Sequence, residues 1–267
     1  MNRIAATFDR LRAERRTGLV AYLTAGDPTP GRTPSLVAAL ERGGADLIEL
    51  GVPFSDPIAD GPVIQRGSER ALAAGTTLPA VLEMAARIRL HSQIPIVLFT
   101  YLNPVMRYGF AALAKDAAAA GVDGCLLTDL SVEEAEGYVD TMHRAGLDTV
   151  FLAAPTSAPK RRELVARYST GFLYLVSRTG VTGVSDQLSG SALPLIESMR
   201  ALTDKPLAVG FGISRAQHAA QLAGKADAIV VGSAFVRIVE QHPGPELESR
   251  LEALAAELSG ALKGAGA

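Results

Sequence analysis

The sequence predicts an α/β chain of parallel strands, a single (β/α)8 barrel spanning residues 1–267. Two observations carry the prediction. Eight short, nearly continuous apolar runs occur at 19–23, 47–51, 96–100, 124–127, 149–152, 172–176, 207–210 and 228–231. Apolar runs without polar alternation are what strands covered on both faces require. Amphipathic stretches at helical spacing lie between the runs, and eight such units in about 250 residues match the size of a (β/α)8 barrel. A doubly wound open sheet shares this alternation. Against it, TAGDP rather than GxGxxG follows the first run.

The elements follow in order. The chain opens on MNRIAATFDRLRAERR, a charged amphipathic helix without the apolar core of a signal peptide. Helical patterns then cover 33–42, 78–90, 110–120, 132–145, 159–168, 192–202 and 215–222, with 245–262 as the closing helix. The segment between the second and third runs exceeds one helix, and an extra helical piece at 65–74 reads as an insertion after strand 2. No linker rich in Gly, Ser or Pro divides the chain, so one domain is expected.

Composition narrows the function. With 48% hydrophobic and 20% charged residues, a net charge of −2 and no long block of like charge, the chain points to neither nucleic acid nor a membrane surface. Cys125 is the only cysteine, which rules out an internal disulfide and a Cys-rich metal cluster. No stretch is apolar enough to span a bilayer. These features predict a cytoplasmic protein acting on a small neutral or anionic molecule.

The chemistry concentrates in LIELGVPFSDPIADGP, residues 47–62. Glu49 sits in an apolar strand among Leu47, Ile48, Leu50 and Val52, where an ionised carboxylate costs several kcal/mol. A buried acid with a raised pKa is suited to shuttling a proton, although a structural Glu paired with an Arg would look the same in sequence. Asp60 lies on the following loop, able to fold toward the same opening, so one acid could transfer protons while the other stabilises positive charge. Asp27 and Asp56 precede Pro28 and Pro57 and read as turn formers. Glycine-rich segments follow the last three runs: SRTGVTG (177–183), GFGIS (210–214) and VGSAF (231–235). Loops at these positions let backbone N–H groups approach an anion, and Thr182 and Ser233 could add hydroxyls, which favours a phosphorylated substrate. The four histidines fall on predicted helices or at their ends, and Lys205, nearest a strand among five lysines, precedes the seventh run, at the wrong end of a barrel. What remains is acid–base isomerisation or cleavage of a phosphorylated carbon skeleton, with no metal or organic cofactor.

The block LIELGVPFSDPIADGPVIQ, the earlier AYLTAGDP and the later YLVSRTGVTG, VGFGIS and VVGSAFV resemble, across essentially the whole chain, the α subunit of tryptophan synthase. The resemblance implies reversible retro-aldol cleavage of indole-3-glycerol phosphate to indole and glyceraldehyde 3-phosphate. It places Glu49 as the general acid/base and Asp60 opposite the indole nitrogen. It further implies a phosphate site at Gly183, Gly212, Gly232 and Ser233 with Thr182 alongside, and an indole pocket formed by Tyr22, Tyr101, Leu126, Tyr174 and Phe211. A pyridoxal-phosphate β subunit is the implied partner, in an α2β2 heterotetramer, with residues 53–56, Asn103 and Pro104 as a docking rim. Loops 53–60 and 179–188 have the composition of mobile lids. Two departures from the family pattern, Tyr22 in place of Phe and Thr128-Asp129-Leu130-Ser131 in place of Pro-Asp-Leu-Pro, bear on pocket polarity and on the stiffness of the fourth loop. A non-catalytic docking subunit would not keep both acids. A different phosphate-binding barrel, such as an isomerase of an aminosugar or anthranilate phosphate, would need another acid, for which Asp129 is the spare candidate.

Overall fold

A computed structural model describes residues 2–176, 192–210, 212–213 and 215–263. Nine parallel strands form one sheet: β1 (Gly18–Thr24), β2 (Leu47–Gly51), β3 (Ile96–Thr100), β4 (Gly124–Leu127), β5 (Asp148–Val150), β6 (Leu152–Ala153), β7 (Leu173–Val176), β8 (Leu207–Gly210) and β9 (Ala228–Val231). Their order, β5-β4-β3-β2-β1-β9-β8-β7-β6, leaves the two ends of the sheet on consecutive chain segments. The barrel is therefore nearly closed.

The break falls at Phe151, inside the fifth predicted run. Its N–H donates to Ser169 Oγ at 3.1 Å instead of to a strand, and its carbonyl accepts from Tyr174 N at 3.1 Å. Pairing with β4 thus stops at Val150 and pairing with β7 starts at Leu152. The Phe151 ring packs outward between Tyr138 and Tyr168.

Strand side chains sort by the two-residue period of a pleat. Val20, Leu47, Val97, Leu126, Val150, Ala208 and Ala228 form an inner cluster. Their neighbours Ala21, Ile48, Leu98, Cys125, Val209 and Ile229 join the larger layer beneath the helices. Both faces of each strand are covered, which is why the sequence shows unbroken apolar runs.

The helices are α1 (Arg3–Ala13), α2 (Thr33–Arg42), α3 (Pro62–Ala73), α4 (Leu78–Arg89), α5 (Leu102–Tyr108), α6 (Phe110–Ala119), α7 (Glu136–Arg144), α8 (Pro159–Tyr168), α9 (Ala192–Arg200), α10 (Ala216–Leu222), α11 (Ser233–Gln241) and α12 (Leu247–Lys263). Helix α1 closes the barrel's lower end with Ile4, Phe8 and Leu11. Its first turn is capped by the Asn2 side chain, which accepts from Ile4 N at 2.9 Å. The lower rim repeats one device. Asp46, Asp123 and Asp227, each one residue before a strand, accept the N–H of Leu19, Ile96 and Leu207 on the neighbouring strand at 3.0, 2.8 and 2.8 Å. Each also pairs with an arginine, Arg16, Arg89 and Arg200 respectively. These acids hold strand register at the end away from the site. No helix among the described residues is long and apolar enough to cross a membrane.

Two helices were not foreseen. Helix α5 contains Pro104, but at the third helical position, where the missing N–H has no intrahelical partner to lose. Helix α11 follows β9 after the single residue Gly232, so VVGSAFV reads as strand and loop when it is strand, Gly232 and helix.

Candidate active site

The upper ends of the strands surround a cavity of about 220 Å³. Glu49, Asp60, Tyr22, Tyr174, Gly212, Gly232 and Ser233 all line it. Phe99, Leu152, Ile64, Val176 and Val230 supply apolar wall.

Glu49 is centred on β2, between Tyr22 of β1 and Val97 of β3. Its inward direction follows from Leu47, two residues earlier, which is in the inner cluster. The side chain is 0% exposed, and neither carboxyl oxygen has a hydrogen-bond partner among the described residues. Among the described residues, no arginine pairs with it. Burial alone pushes its pKa up to about 8, so the group carries a proton at neutral pH.

Asp60 reaches the cavity from the loop after β2. A turn in which Asp60 N donates to the Pro57 carbonyl at 3.0 Å shapes this loop, and Gln65 Nε2 donates to the Asp60 carbonyl at 2.9 Å. Burial raises the Asp60 pKa to about 6, and a hydrogen bond from Tyr101 pulls the other way. The two acids are thus held in different protonation states near pH 7, one neutral and one charged. The Tyr101 hydroxyl also accepts from Ala59 N at 3.1 Å, and its ring packs on Phe54 with centroids 5.2 Å apart. Tyr101 therefore braces the loop rather than lining the cavity. Leu126, also expected in the indole pocket, sits one layer lower in the inner cluster, on which Phe99, Leu152 and Tyr174 rest.

Two glycines make room for the tyrosines. A Cβ on Gly51 would lie 2.3 Å from the Tyr22 hydroxyl, and one on Gly210 would lie 2.5 Å from the Tyr174 hydroxyl. Each ring leans over the glycine of the adjacent strand. The Tyr22 ring also meets Phe99 edge-on at 5.2 Å. Among the described residues, its hydroxyl has only a long contact, 3.4 Å, to Thr24 Oγ1. The opposite side of the cavity is backbone. Gly212 has φ +63°, a conformation side chains rarely adopt. Gly232 caps α11, its carbonyl accepting from Phe235 N and Val236 N at 2.9 and 3.2 Å, which leaves the N–H groups of Ser233 and Ala234 as the anion-attracting end of the helix. Thr182, Gly183, Phe211 and loop 179–188 lie outside the described residues.

The remaining candidates lie elsewhere. Asp129 is exposed and accepts from Leu102 N, the first amide of α5, at 2.6 Å, so the spare acid is a helix cap. Ser131 Oγ donates to Glu133 at 2.6 Å, and Glu133 pairs with Arg161 of α8 at 2.8 Å, which ties down the fourth loop without prolines. Lys205 caps the end of α8 through the carbonyls of Ala166 and Ser169, at 2.7 and 2.6 Å. Among the described residues, no group of three or more His, Cys, Asp or Glu side chains is placed to hold a metal ion.

The family model for the tryptophan synthase alpha chain matches residues 8–264. The chain belongs to the tryptophan synthase alpha chain family. A tryptophan synthase alpha chain from Solibacter usitatus is 67% identical over 259 residues, 97% of each chain. Another, from Geobacter sulfurreducens, is 50% identical over 247 residues, 92% of this chain and 94% of its own length. Among solved structures, Mycobacterium tuberculosis tryptophan synthase superposes with a TM-score of 0.91 at 38% identity over 98% of each chain. The Legionella pneumophila tryptophan synthase alpha subunit gives 0.88 at 39% identity, again over 98% of each. Tryptophan synthase alpha membership carries a lyase activity and the α-subunit role in tryptophan biosynthesis.

Proposed function

We propose that this chain, working as one barrel domain in the cytoplasm, cleaves indole-3-glycerol phosphate to indole and glyceraldehyde 3-phosphate without a cofactor of its own. The observation that carries the proposal is Glu49, fully buried at the cavity wall with no hydrogen-bond partner for either oxygen among the described residues and its pKa raised to about 8. Such a group bears a proton at neutral pH and, among the described residues, has no hydrogen-bond partner to give it to.

In the proposed reaction, Glu49 protonates C3 of the indole ring, converting it into an indolenine whose nitrogen carries positive charge. Asp60, ionised above about pH 6, accepts a hydrogen bond from that nitrogen and offsets the charge. The Glu49 carboxylate then removes the proton from the hydroxyl beside the scissile bond. The hydroxyl carbon becomes an aldehyde, and the electron pair of the broken bond restores the aromatic ring. Glu49 ends the cycle protonated, as it began. The α11 N-terminus with Gly232 and Ser233, Gly212, and Gly183 and Thr182 hold the phosphate, while Tyr22, Tyr174, Phe211, Phe99 and Leu152 enclose the ring. Anchoring the remote phosphate supplies orientation that would otherwise cost entropy.

The same end of the barrel offers the rim for a β subunit. Asp56 is exposed, Ile58 is 78% exposed, and Asn103, in the first turn of α5 after β3, is exposed as well. An α2β2 assembly on this rim would pass indole directly to its consumer. The test mixes purified protein with indole-3-glycerol phosphate, alone and with a β subunit, and follows indole. Turnover is expected, faster with the partner, and none in either mixture would remove the proposal.

A further inference from the structure

Two sides of the cavity come from helices distant in sequence. Helix α3 starts two residues after Asp60 and contributes Ile64, whereas α11 begins at Ser233. The helices meet at Gly67, where a Cβ would lie 2.9 Å from Val236 of α11 and 3.0 Å from Thr24 at the end of β1. A chain of charges runs beside this contact. Arg70 of α3 donates to both carboxylate oxygens of Asp27, at 2.9 and 2.7 Å, and to Glu240 of α11 at 3.1 Å. Arg66, one turn earlier, donates to the two oxygens of Glu240 at 2.5 and 2.9 Å. Asp27, in the loop after β1, is 2% exposed. None of the four lines the cavity.

An isolated exposed ion pair contributes little to stability, so its presence alone would mean little. This arrangement differs in geometry. The planar guanidinium of Arg70 is fixed along one edge by Asp27, which leaves one nitrogen direction for Glu240 and sets the rotation of α3 against α11. Arg66 grips the same carboxylate with a second fork. The consequence is functional because of what each helix carries. Asp60 precedes α3 and meets the ring end of the substrate, and the α11 N-terminus meets its phosphate.

We infer that Asp27, Arg70, Glu240 and Arg66 form a positioning clamp that holds the α11 N-terminus at the separation from Asp60 that the phosphorylated substrate spans. The inference rests on the function proposed above. The clamp does not touch substrate; it acts through the two helices.

Glu240→Gln is the informative variant. Arg70→Met would strand the buried Asp27 carboxylate and could unfold the chain, whereas Glu240 is a quarter exposed and its loss leaves the Asp27–Arg70 pair intact. The sign of the effect discriminates. If charge alone mattered, removing a carboxylate near an anion site would tighten anion binding. The clamp predicts the opposite: glyceraldehyde 3-phosphate bound roughly threefold to tenfold more weakly, the range of coupling that such networks transmit. Indole affinity stays unchanged, KM for indole-3-glycerol phosphate rises with kcat largely kept, and Glu240→Asp recovers part of the loss. Phosphate-ligand affinity equal to or tighter than wild type, or equal losses for indole and glyceraldehyde 3-phosphate, would overturn the clamp. Failure of the wild-type protein to bind glyceraldehyde 3-phosphate at all would instead overturn the function on which it rests.

Discussion

Replacing Glu49 with Gln removes the only ionisation at that position while keeping its shape, and the effect on stability should depend on pH in a way that can be worked out beforehand. Burial raises the Glu49 pKa from 4.5 to about 8. Between these values the unfolded chain releases the proton and the folded chain retains it, so rising pH draws the wild type toward unfolding. The stabilisation of the protonated form is fully present below pH 4.5 and gone above pH 8. At about 1.4 kcal/mol per pH unit, the cost is about 3 kcal/mol at pH 7 and about 5 kcal/mol once both states are ionised. Glu49→Gln escapes this cost. Its amide leaves a pH-independent offset, because a buried amide without partners also loses hydration, so the slope rather than the offset carries the information. Urea unfolding followed by circular dichroism at pH 5, 7 and 8.5 should show the variant gaining on the wild type by roughly 4 kcal/mol across that range. A difference that stays constant from pH 5 to 8.5 would refute the reasoning, since it would mean that Glu49 ionises as it does in water.

The same two groups predict the pH profile of the reaction. With Asp60 required ionised and Glu49 required protonated, kcat/KM should fall below about pH 6 and above about pH 8; a flat profile between pH 5 and 9 would contradict that assignment of roles. Gly210→Ala should destabilise the protein by about 1–3 kcal/mol and weaken ring binding, because the new Cβ meets the Tyr174 hydroxyl at 2.5 Å. Pairing it with Tyr174→Phe removes that oxygen and should restore part of the loss, as measured by thermal melting and indole titration; no recovery in the double variant would place the strain elsewhere.

Much of the barrel was legible because parallel strands covered on both faces must be apolar throughout. The runs at 96–100 and 207–210 and the helical patterns at 33–42 and 159–168 coincide with β3, β8, α2 and α8. Legibility failed where local pattern and tertiary structure separate. The split of the fifth strand is caused by Ser169 and Tyr174, some twenty residues away from Phe151, and α11 is hidden because only Gly232 separates it from β9. Glu49 and Asp60 stood out as acids in unlikely company, and the structure brings both to one cavity. The wall residues Phe99 and Leu152 did not stand out, although counting two residues on from the inward-facing Val97 and Val150 would have found them. The glycines under Tyr22 and Tyr174 and the clamp through Arg70 had no local signal at all. Their partners lie 29, 36, 43 and 170 residues away in sequence (Gly51 minus Tyr22, Gly210 minus Tyr174, Arg70 minus Asp27, Glu240 minus Arg70).

The central claim is that the dry carboxyl of Glu49 carries the proton that makes indole a leaving group. Turnover and binding measured together on Glu49→Gln test it most directly. The account predicts that indole release from indole-3-glycerol phosphate falls by about a thousandfold or more while the affinities for indole and glyceraldehyde 3-phosphate stay within about threefold of wild type. Turnover near the wild-type rate in that variant would contradict it.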